Sequence, residues 1–237
     1  MRGLTIGGAL QYLLERDGLA TWLDRRRRLP DVYLGRDYSA EIDHALSAAE
    51  GIRTLPGDPV EVATGLLTEG LVGAIYEGRM EFGPRALGAR SILASPADAQ
   101  VNQRMNERLN RTEFMPFAPY VLDEDAAEVF EVTPANRYAC RFMTITTAVR
   151  PEWRERIPAV VHVDGTARPQ IVDAATNPLY AGILARFKQA TGLPVLVNTS
   201  FNAHEEPIIN RPEECVGALQ GDRIDFVVTR QAVYRRG

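Results

Sequence analysis

The stretch that decides the fold is NPLYAGILARFKQATGLPVLVNTS, residues 177–200. Its opening Asn-Pro pair is typical of a helix N-cap followed by the first helical residue. Apolar residues then recur at helical spacing as far as Gly192, a residue type that commonly ends a helix. The apolar run at 193–197 follows directly and predicts a strand. The stretch therefore predicts a helix that leads straight into a buried strand.

The same helix-start signals recur elsewhere, at Asp58-Pro59, Ser95-Pro96 and Pro212. Alternating or continuous apolar runs predict strands at residues 71–78, 138–149, 193–200 and 224–235, and a hairpin of 159–163 with 167–173 around Asp164-Gly165. Helix-then-strand units beside hairpins predict an α/β fold with one mixed β-sheet and flanking helices.

Residues 1–57 differ from the rest of the chain. Two short helices are predicted there, at 6–16 and 41–50, and the charged stretch 25–39 between them has no sustained period. We expect a short, mostly helical N-terminal segment over 1–57 and the main domain over 58–237.

Composition excludes several classes of protein. The 237 residues are 45% apolar and 24% charged, with a net charge of −4 and no apolar run long enough to cross a membrane. The charge argues against broad nucleic-acid binding, despite the basic run at 25–28. Cys140 and Cys215 lack a disulfide or metal-binding pattern, and the three histidines lie far apart. We expect a cytoplasmic protein with no protein-held metal site.

Three arginines lie among small, turn-forming residues in GRMEFGPRALGARSIL, residues 78–93. Guanidinium groups beside glycines suit a phosphate-bearing ligand, because each group offers two charge-assisted hydrogen bonds in one plane. The alternative is that the arginines pair with Glu77 and Glu81. The candidate ligands here are Arg79, Arg85, Arg90 and Ser91.

Small polar side chains follow the predicted strand in LVNTSFNAHEEPI, residues 196–208. Ligand sites of α/β folds favour such carboxyl ends of strands. Here Glu205 and Glu206 are suited to hold either a ribose hydroxyl or an arginine, and a polar turn that satisfies its own backbone is the alternative. The candidate ligands are Asn198, Ser200, Asn202 and Glu206.

Two further stretches carry candidate cations. In VDGTARPQIV, residues 163–172, Arg168 follows a turn and is positioned to point back along the sheet. In NRTEFMPFAP, residues 110–119, Arg111 precedes a rigid segment with two prolines. Together, the four stretches resemble the C-terminal domain of the O-carbamoyltransferases of the nodulation-protein-U and antibiotic-biosynthesis type, over about residues 58–235.

This resemblance implies a YrdC-like twisted sheet that binds ATP, Mg²⁺ and carbamoyl phosphate, and that forms a carbamoyl-adenylate. The carbamoyl group would then pass to a hydroxyl in a separate actin/Hsp70-like domain, of which residues 1–57 would be a remnant or docking tail. Arg85, Arg168 and Ser200 are the predicted catalytic residues. The predicted binding residues are Arg79, Arg90, Ser91, Arg111, Asn198, Asn202 and Glu206. Among the site residues, the resemblance implies that Asn198, Ser200 and Asn202 bind the carbamoyl and phosphate groups.

One position departs from the family pattern. Met115 stands where an arginine normally precedes the proline, and Arg111 is the candidate substitute for a lysine that is also missing. Two alternatives stay open, the first because of Met115 and the missing domain and the second because such enzymes share the YrdC-like fold. One is a non-catalytic nucleotide-binding regulatory subunit, and the other is a synthase that makes threonylcarbamoyl-adenylate for transfer-RNA modification.

Overall fold

A computed structural model describes residues 4–25, 27–110 and 117–237. Its helices are α1 Leu4–Asp17, α2 Leu19–Arg25, α3 Ser39–Ala48, α4 Pro59–Thr68, α5 Gln100–Arg108, α6 Ala126–Val129, α7 Arg137–Cys140, α8 Pro151–Arg154, α9 Pro178–Thr191 and α10 Pro212–Gln220. Its strands are β1 Tyr33–Asp37, β2 Ile52–Leu55, β3 Gly73–Tyr76, β4 Arg79–Glu81, β5 Arg90–Ala94, β6 Ala118–Leu122, β7 Thr147–Ala148, β8 Thr166–Ala167, β9 Gln170–Val172, β10 Val195–Ser200, β11 Phe226–Val228 and β12 Val233–Arg236.

Eight of these strands form one mixed sheet in the order β2-β12-β11-β3-β5-β10-β6-β9. The pairs β11–β3 and β6–β9 are parallel and the other pairs are antiparallel. The predicted mixed α/β sheet is therefore confirmed.

Helix caps follow the sequence signals closely. The Asp58 side chain accepts hydrogen bonds from the backbone N–H groups of Val60 and Glu61 at the start of α4. The Asn177 side chain caps α9 in the same way, and Gly192 ends that helix in a left-handed conformation. At Ser95-Pro96 the predicted helix start was too early, because α5 begins only at Gln100, whose N–H donates to the Asp98 side chain.

Three strand predictions were also wrong. The run 224–235 forms two antiparallel strands, β11 and β12, rather than one. Residues 138–149 form the end of α7, a turn and the short strand β7 rather than one long strand. The turn at Asp164-Gly165 is present, but the strands on either side of it do not pair with each other. Instead β8 pairs with β7 and β9 pairs with β6. Pro169 lies between β8 and β9 and has no N–H to donate to a ladder, which favours this break.

The N-terminal segment contains two different parts. The described side chains of α1 and α2 are not buried, whereas Ile42 and Leu46 of α3 belong to the main core. Strand β2 pairs with β12, and β1, which sequence reasoning missed, pairs with β4. Helix α3 therefore packs on the main core and β2 joins the main sheet, while β1 forms a separate two-stranded sheet with β4, although all three precede the predicted boundary at 57.

Candidate functional site

One edge of the sheet brings together the ends of several strands. Ser200, at the carboxyl end of β10, lies opposite Ser91 near the start of β5. Asn198 lies opposite Ala118 at the start of β6, whose neighbour β9 begins at Gln170. Opposite and alternate residues share a sheet face. Ser91, Asn198 and Ser200 consequently point to the same side of the sheet.

That side is covered by residues 82–89, here called the arginine loop because they carry Arg85. The buried Glu81 carboxylate holds this loop: its Oε1 accepts from the backbone N–H groups of Leu87 at 2.6 Å and Ala89 at 2.7 Å. The Ser91 hydroxyl accepts from Gly88 N at 2.9 Å. Burial, opposed by these backbone hydrogen bonds, raises the pKa of Glu81.

Strand β1 adds a further contact to the arginine loop. The Tyr33 hydroxyl donates to the Leu87 carbonyl at 2.7 Å, and burial raises the pKa of this tyrosine. Gly35 of β1 lies so close to Met80 that an added Cβ would come within 2.9 Å of its Cβ. The N-terminal segment therefore helps to fix the loop that carries Arg85.

Asn198 connects the arginine loop to the segment that carries Arg168. Its Nδ2 donates to the Ala86 carbonyl at 3.1 Å and to Oε1 of Gln170 at 2.5 Å. Ala86 is the neighbour of Arg85, and Gln170 is two residues from Arg168. The buried side chain of Asn198 thus connects both arginine-bearing segments to the same strand end.

Arg85 and Arg168 are both partly buried, and they lie one and two residues from the groups that accept from the Asn198 side chain. Burial, and secondly the positive charge of Arg85, lower the pKa of Arg168. The Nε atom of Arg168 is buried and has no hydrogen-bond partner in the described part of the chain. A partly buried cation that forms no ion pair with a described residue, as Arg168 does, suits an anionic ligand.

Arg90 has a different environment. It is fully buried, and its guanidinium donates to the carbonyls of Glu77, Gly78 and Ala89 at 2.8–3.0 Å and lies 3.6 Å from the ring centre of Tyr76. Because Arg90 precedes Ser91 on the strand, its side chain points to the opposite face of the sheet. The structure therefore does not bring Arg90 to the same side as Arg85 and Arg168.

The turn after β10 satisfies much of its own polarity. The Ser200 hydroxyl donates to Oδ1 of Asn202 at 2.5 Å, and Nδ2 of Asn202 donates to the carbonyls of Ala203 and Glu206. Glu206 forms an ion pair with Arg223, whose hydrogen bond is the main cause of its lowered pKa. Of the two alternatives for this acid, the structure shows the arginine partner.

Arg79 lines a separate cleft of about 190 Å³ beside β4, together with Glu77 and Arg230. The ion pair in this cleft joins Glu77 to Arg230, a residue from the end of β11. Glu77 therefore pairs with a distant arginine and Glu81 with backbone N–H groups. Neither acid forms the predicted alternative ion pair with Arg79 or Arg90.

The structure thus brings together Arg85, Arg168, Ser91, Asn198 and Ser200, and places Arg90, Arg79 and Glu206 in other environments. Arg111 and Met115 lie outside the described residues. Sequence reasoning missed Gln170 and the loop-holding role of Glu81. Gln170 sits in the quoted 163–172 stretch, where an amide at the start of a buried strand was the available signal.

The described ranges contain neither a membrane-spanning helix nor a metal-binding cluster. No helix there is long and apolar enough to cross a membrane. The same residues contain no group of three histidine, cysteine or acidic side chains able to hold a metal ion.

Comparison with known proteins defines the class of this chain. Residues 64–236 match the model of the family described as carbamoyltransferase C-terminus. The chain belongs to this family, which is one of transferases.

The curated relatives are longer than this chain. It is 38% identical over 239 residues to the nodulation protein NolO of Bradyrhizobium diazoefficiens, covering 99% of this chain and 43% of that protein. It is 35% identical over 241 residues to an uncharacterized protein of Methanocaldococcus jannaschii, covering 99% and 38%. Nodulation protein U of Rhizobium tropici is 36% identical over 180 residues, covering 76% and 30%. The chain thus spans less than half of each of these three relatives.

Solved structures show the same fold. HypF of T. kodakarensis superposes with a TM-score of 0.53 at 20% identity, covering 75% of this chain and 22% of HypF. Full-length HypF in its phosphate- and nucleotide-bound form gives 0.53 at 17% identity, covering 78% and 22%. The predicted YrdC-like α/β fold is therefore confirmed.

Proposed function

We propose that this chain binds ATP and carbamoyl phosphate and makes carbamoyl-adenylate, whose carbamoyl group passes to a substrate hydroxyl in a separate domain. The observation that carries the proposal is the pair of cations, Arg85 and Arg168, tied to one strand end through Asn198. Family membership supplies the carbamoyl chemistry, and the phosphate- and nucleotide-bound HypF is consistent with phosphate ligands on this fold.

The arginine pair favours an anion for an electrostatic reason. Arg168 forms no ion pair with a described residue, and its partly buried charge lies beside that of Arg85. A phosphate between two guanidinium groups would offset both the desolvation and the mutual repulsion. Phosphate binding is thus the simplest role for a pair of this kind.

The proposed chemistry needs positioning and charge stabilisation more than a protein nucleophile. Water cleaves carbamoyl phosphate to carbamate and inorganic phosphate, and a carbamate oxygen then attacks the α-phosphorus of ATP as pyrophosphate leaves. Negative charge on the phosphoryl oxygens rises in both steps, and the two guanidinium groups stabilise it. Ser200 lies on the same face, and its hydroxyl, which donates to Oδ1 of Asn202 in the structure, would donate to a phosphoryl oxygen instead when the ligand binds.

Mg²⁺ fits this site only as a companion of the triphosphate. The described residues hold no metal-binding cluster, so the ion would be coordinated by phosphate oxygens. When bound there, it would neutralise charge on the leaving pyrophosphate.

The acceptor would bind elsewhere. The chain spans 43% of NolO and 38% of the Methanocaldococcus relative, and we propose that an actin/Hsp70-like domain or subunit contributes the transfer site. The exposed apolar side chains of Ile6, Leu10 and Leu13 on α1 support residues at the start of the chain as a docking tail for it. We place the protein in the cytoplasm, which is consistent with its two buried, unpaired cysteines.

Calorimetry with ATP and with carbamoyl phosphate, followed by a pyrophosphate-release assay with both and Mg²⁺, tests the proposal. We expect binding of both ligands and pyrophosphate release that depends on carbamoyl phosphate. Arg168→Ala should lower that release about a hundredfold, because it removes a donor to developing charge. The matched control is Arg104→Ala, since Arg104 lies on the surface of α5 in an ion pair with Asp98.

Three outcomes would contradict the proposal. Failure to bind either ligand would remove its basis. Binding of ATP without turnover, even with the partner domain supplied, would favour a regulatory subunit. Pyrophosphate release that requires threonine and bicarbonate would favour the threonylcarbamoyl-adenylate reaction.

A further inference from the structure

Two buried amide side chains form a pair beneath the arginine loop. Asn198 on β10 is 1% exposed and Gln170 at the start of β9 is 3% exposed. Nδ2 of Asn198 donates to Oε1 of Gln170 at 2.5 Å, and Nε2 of Gln170 donates to the Leu87 carbonyl at 2.7 Å. Amides in such a buried chain have little freedom to exchange partners.

The two backbone carbonyls fix the orientation of both amides. A carbonyl only accepts hydrogen bonds, so Leu87 O requires the NH₂ end of Gln170, and Ala86 O requires the NH₂ end of Asn198. The oxygen of Gln170 then faces Nδ2 of Asn198. Turning either amide over would bring acceptor against acceptor, so the hydrogen-bond network itself decides the assignment.

The consequence is an unpaired acceptor. Oδ1 of Asn198 is buried and has no hydrogen-bond partner among the residues that the structure describes. Leu87, Ala118 and Met143 form the small apolar cluster on this side of the sheet, and Sδ of Met143 lies 3.7 Å from Nδ2 of Asn198. A buried acceptor in such surroundings is destabilising unless a donor reaches it. The flexible thioether of Met143 is the neighbour best able to shift and admit one.

Ligand chemistry distinguishes the possible donors. At neutral pH the phosphate oxygens of ATP and carbamoyl phosphate are acceptors and would be repelled by Oδ1. The carbamoyl group carries an NH₂, which is a donor. On the basis of the proposed function, we propose that Oδ1 of Asn198 accepts a hydrogen bond from the carbamoyl NH₂. Gln170 is then the positioning residue, because its hydrogen bond to Nδ2 of Asn198 orients this acceptor toward the substrate.

The proposal narrows the role of Asn198 to the carbamoyl group and assigns a role to Gln170. It also explains selectivity within acyl phosphates. Acetyl phosphate has the same phosphate for the arginines but carries a methyl group in place of NH₂, and a site built to accept from N–H rejects a ligand that lacks it.

The test compares the affinities of carbamoyl phosphate and acetyl phosphate by calorimetry, so it does not require turnover. We expect the wild-type protein to prefer carbamoyl phosphate by at least about tenfold, the worth of one well-made hydrogen bond to a buried group. Gln170→Met has similar length but no amide, and should reduce the preference to less than about threefold with little change for acetyl phosphate. Gln103→Met, at an exposed glutamine of α5, is the matched control.

The outcomes separate this inference from the proposed function. A wild-type protein that binds both acyl phosphates equally overturns the inference alone, and this needs no variant to fold. Equal weakening of both ligands in Gln170→Met also overturns it, because that is the effect of a merely structural residue. A protein that binds neither acyl phosphate contradicts both proposals.

Discussion

Arg90 and Arg168 lie at the same edge of the sheet, but the groups that surround their guanidinium groups differ. Around Arg90, three backbone carbonyls and the Tyr76 ring surround the guanidinium. Around Arg168, the neighbouring charge is another arginine and no described carbonyl accepts a hydrogen bond from the guanidinium, although Nε lacks a partner among the described residues in both arginines. The difference teaches that an arginine at a strand end is structural where the protein supplies its acceptors, and suited to a ligand where it does not.

The largest effect that sharpens this comparison is expected from Arg90→Ala. The substitution leaves the carbonyls of Glu77, Gly78 and Ala89 without their charged donor, and we expect the free energy of unfolding to fall by more than about 3 kcal/mol. Urea unfolding followed by circular dichroism measures it.

Arg104→Ala again serves as the surface control, with an expected change within about 0.5 kcal/mol. An Arg90→Ala protein of wild-type stability that loses carbamoyl phosphate affinity would break the comparison, because Arg90 would then be a ligand residue.

A smaller effect is expected from Glu81→Gln, which tests how the arginine loop is held. Glutamine keeps an acceptor for the N–H groups of Leu87 and Ala89 but does not titrate. Burial raises the folded-state pKa of Glu81 above its ordinary value of 4.5, so the folded state binds the proton more tightly than the unfolded chain. The contribution of this tighter proton binding to the free energy of unfolding is fully present below pH 4.5 and is lost as the pH rises through the raised pKa.

The free energy of unfolding of Glu81→Gln should therefore increase relative to wild type as the pH rises above 4.5. Urea unfolding of both proteins over a range of pH measures the difference. A difference that stays constant with pH would show that Glu81 titrates normally, and that the loop is not held by a buried carboxylate.

The sequence predicted the parts of this fold whose signals are local. Asp58, Asn177 and Gly192 occupy the expected cap positions because capping depends on neighbouring backbone groups. The predicted hairpin at 159–173 was wrong, because a turn depends on neighbouring residues whereas strand pairing depends on residues far apart in the chain. Strand β9 pairs with β6, and no pattern within 159–173 predicts that pairing.

Only part of the candidate site could likewise be predicted from the sequence. Arg85, Arg168 and Asn198 were marked by residue type and by position beside turns and strand ends. No local pattern indicated that Arg90 points to the opposite face, because that depends on the phase of one strand relative to its neighbours. Gln170 was also missed, since its importance comes from the Leu87 carbonyl 83 residues earlier in the chain and from the Asn198 amide 28 residues later.

The central claim, that Arg85 and Arg168 share one anion, is tested most directly by a double-mutant cycle on carbamoyl phosphate affinity. The cycle uses Arg85→Met, Arg168→Met and the double variant, which keep much of the side-chain volume. If one phosphate contacts both arginines, the two losses should be non-additive, with a coupling energy of about 0.5–3 kcal/mol. Strictly additive losses, or no loss in either single variant, would contradict the claim.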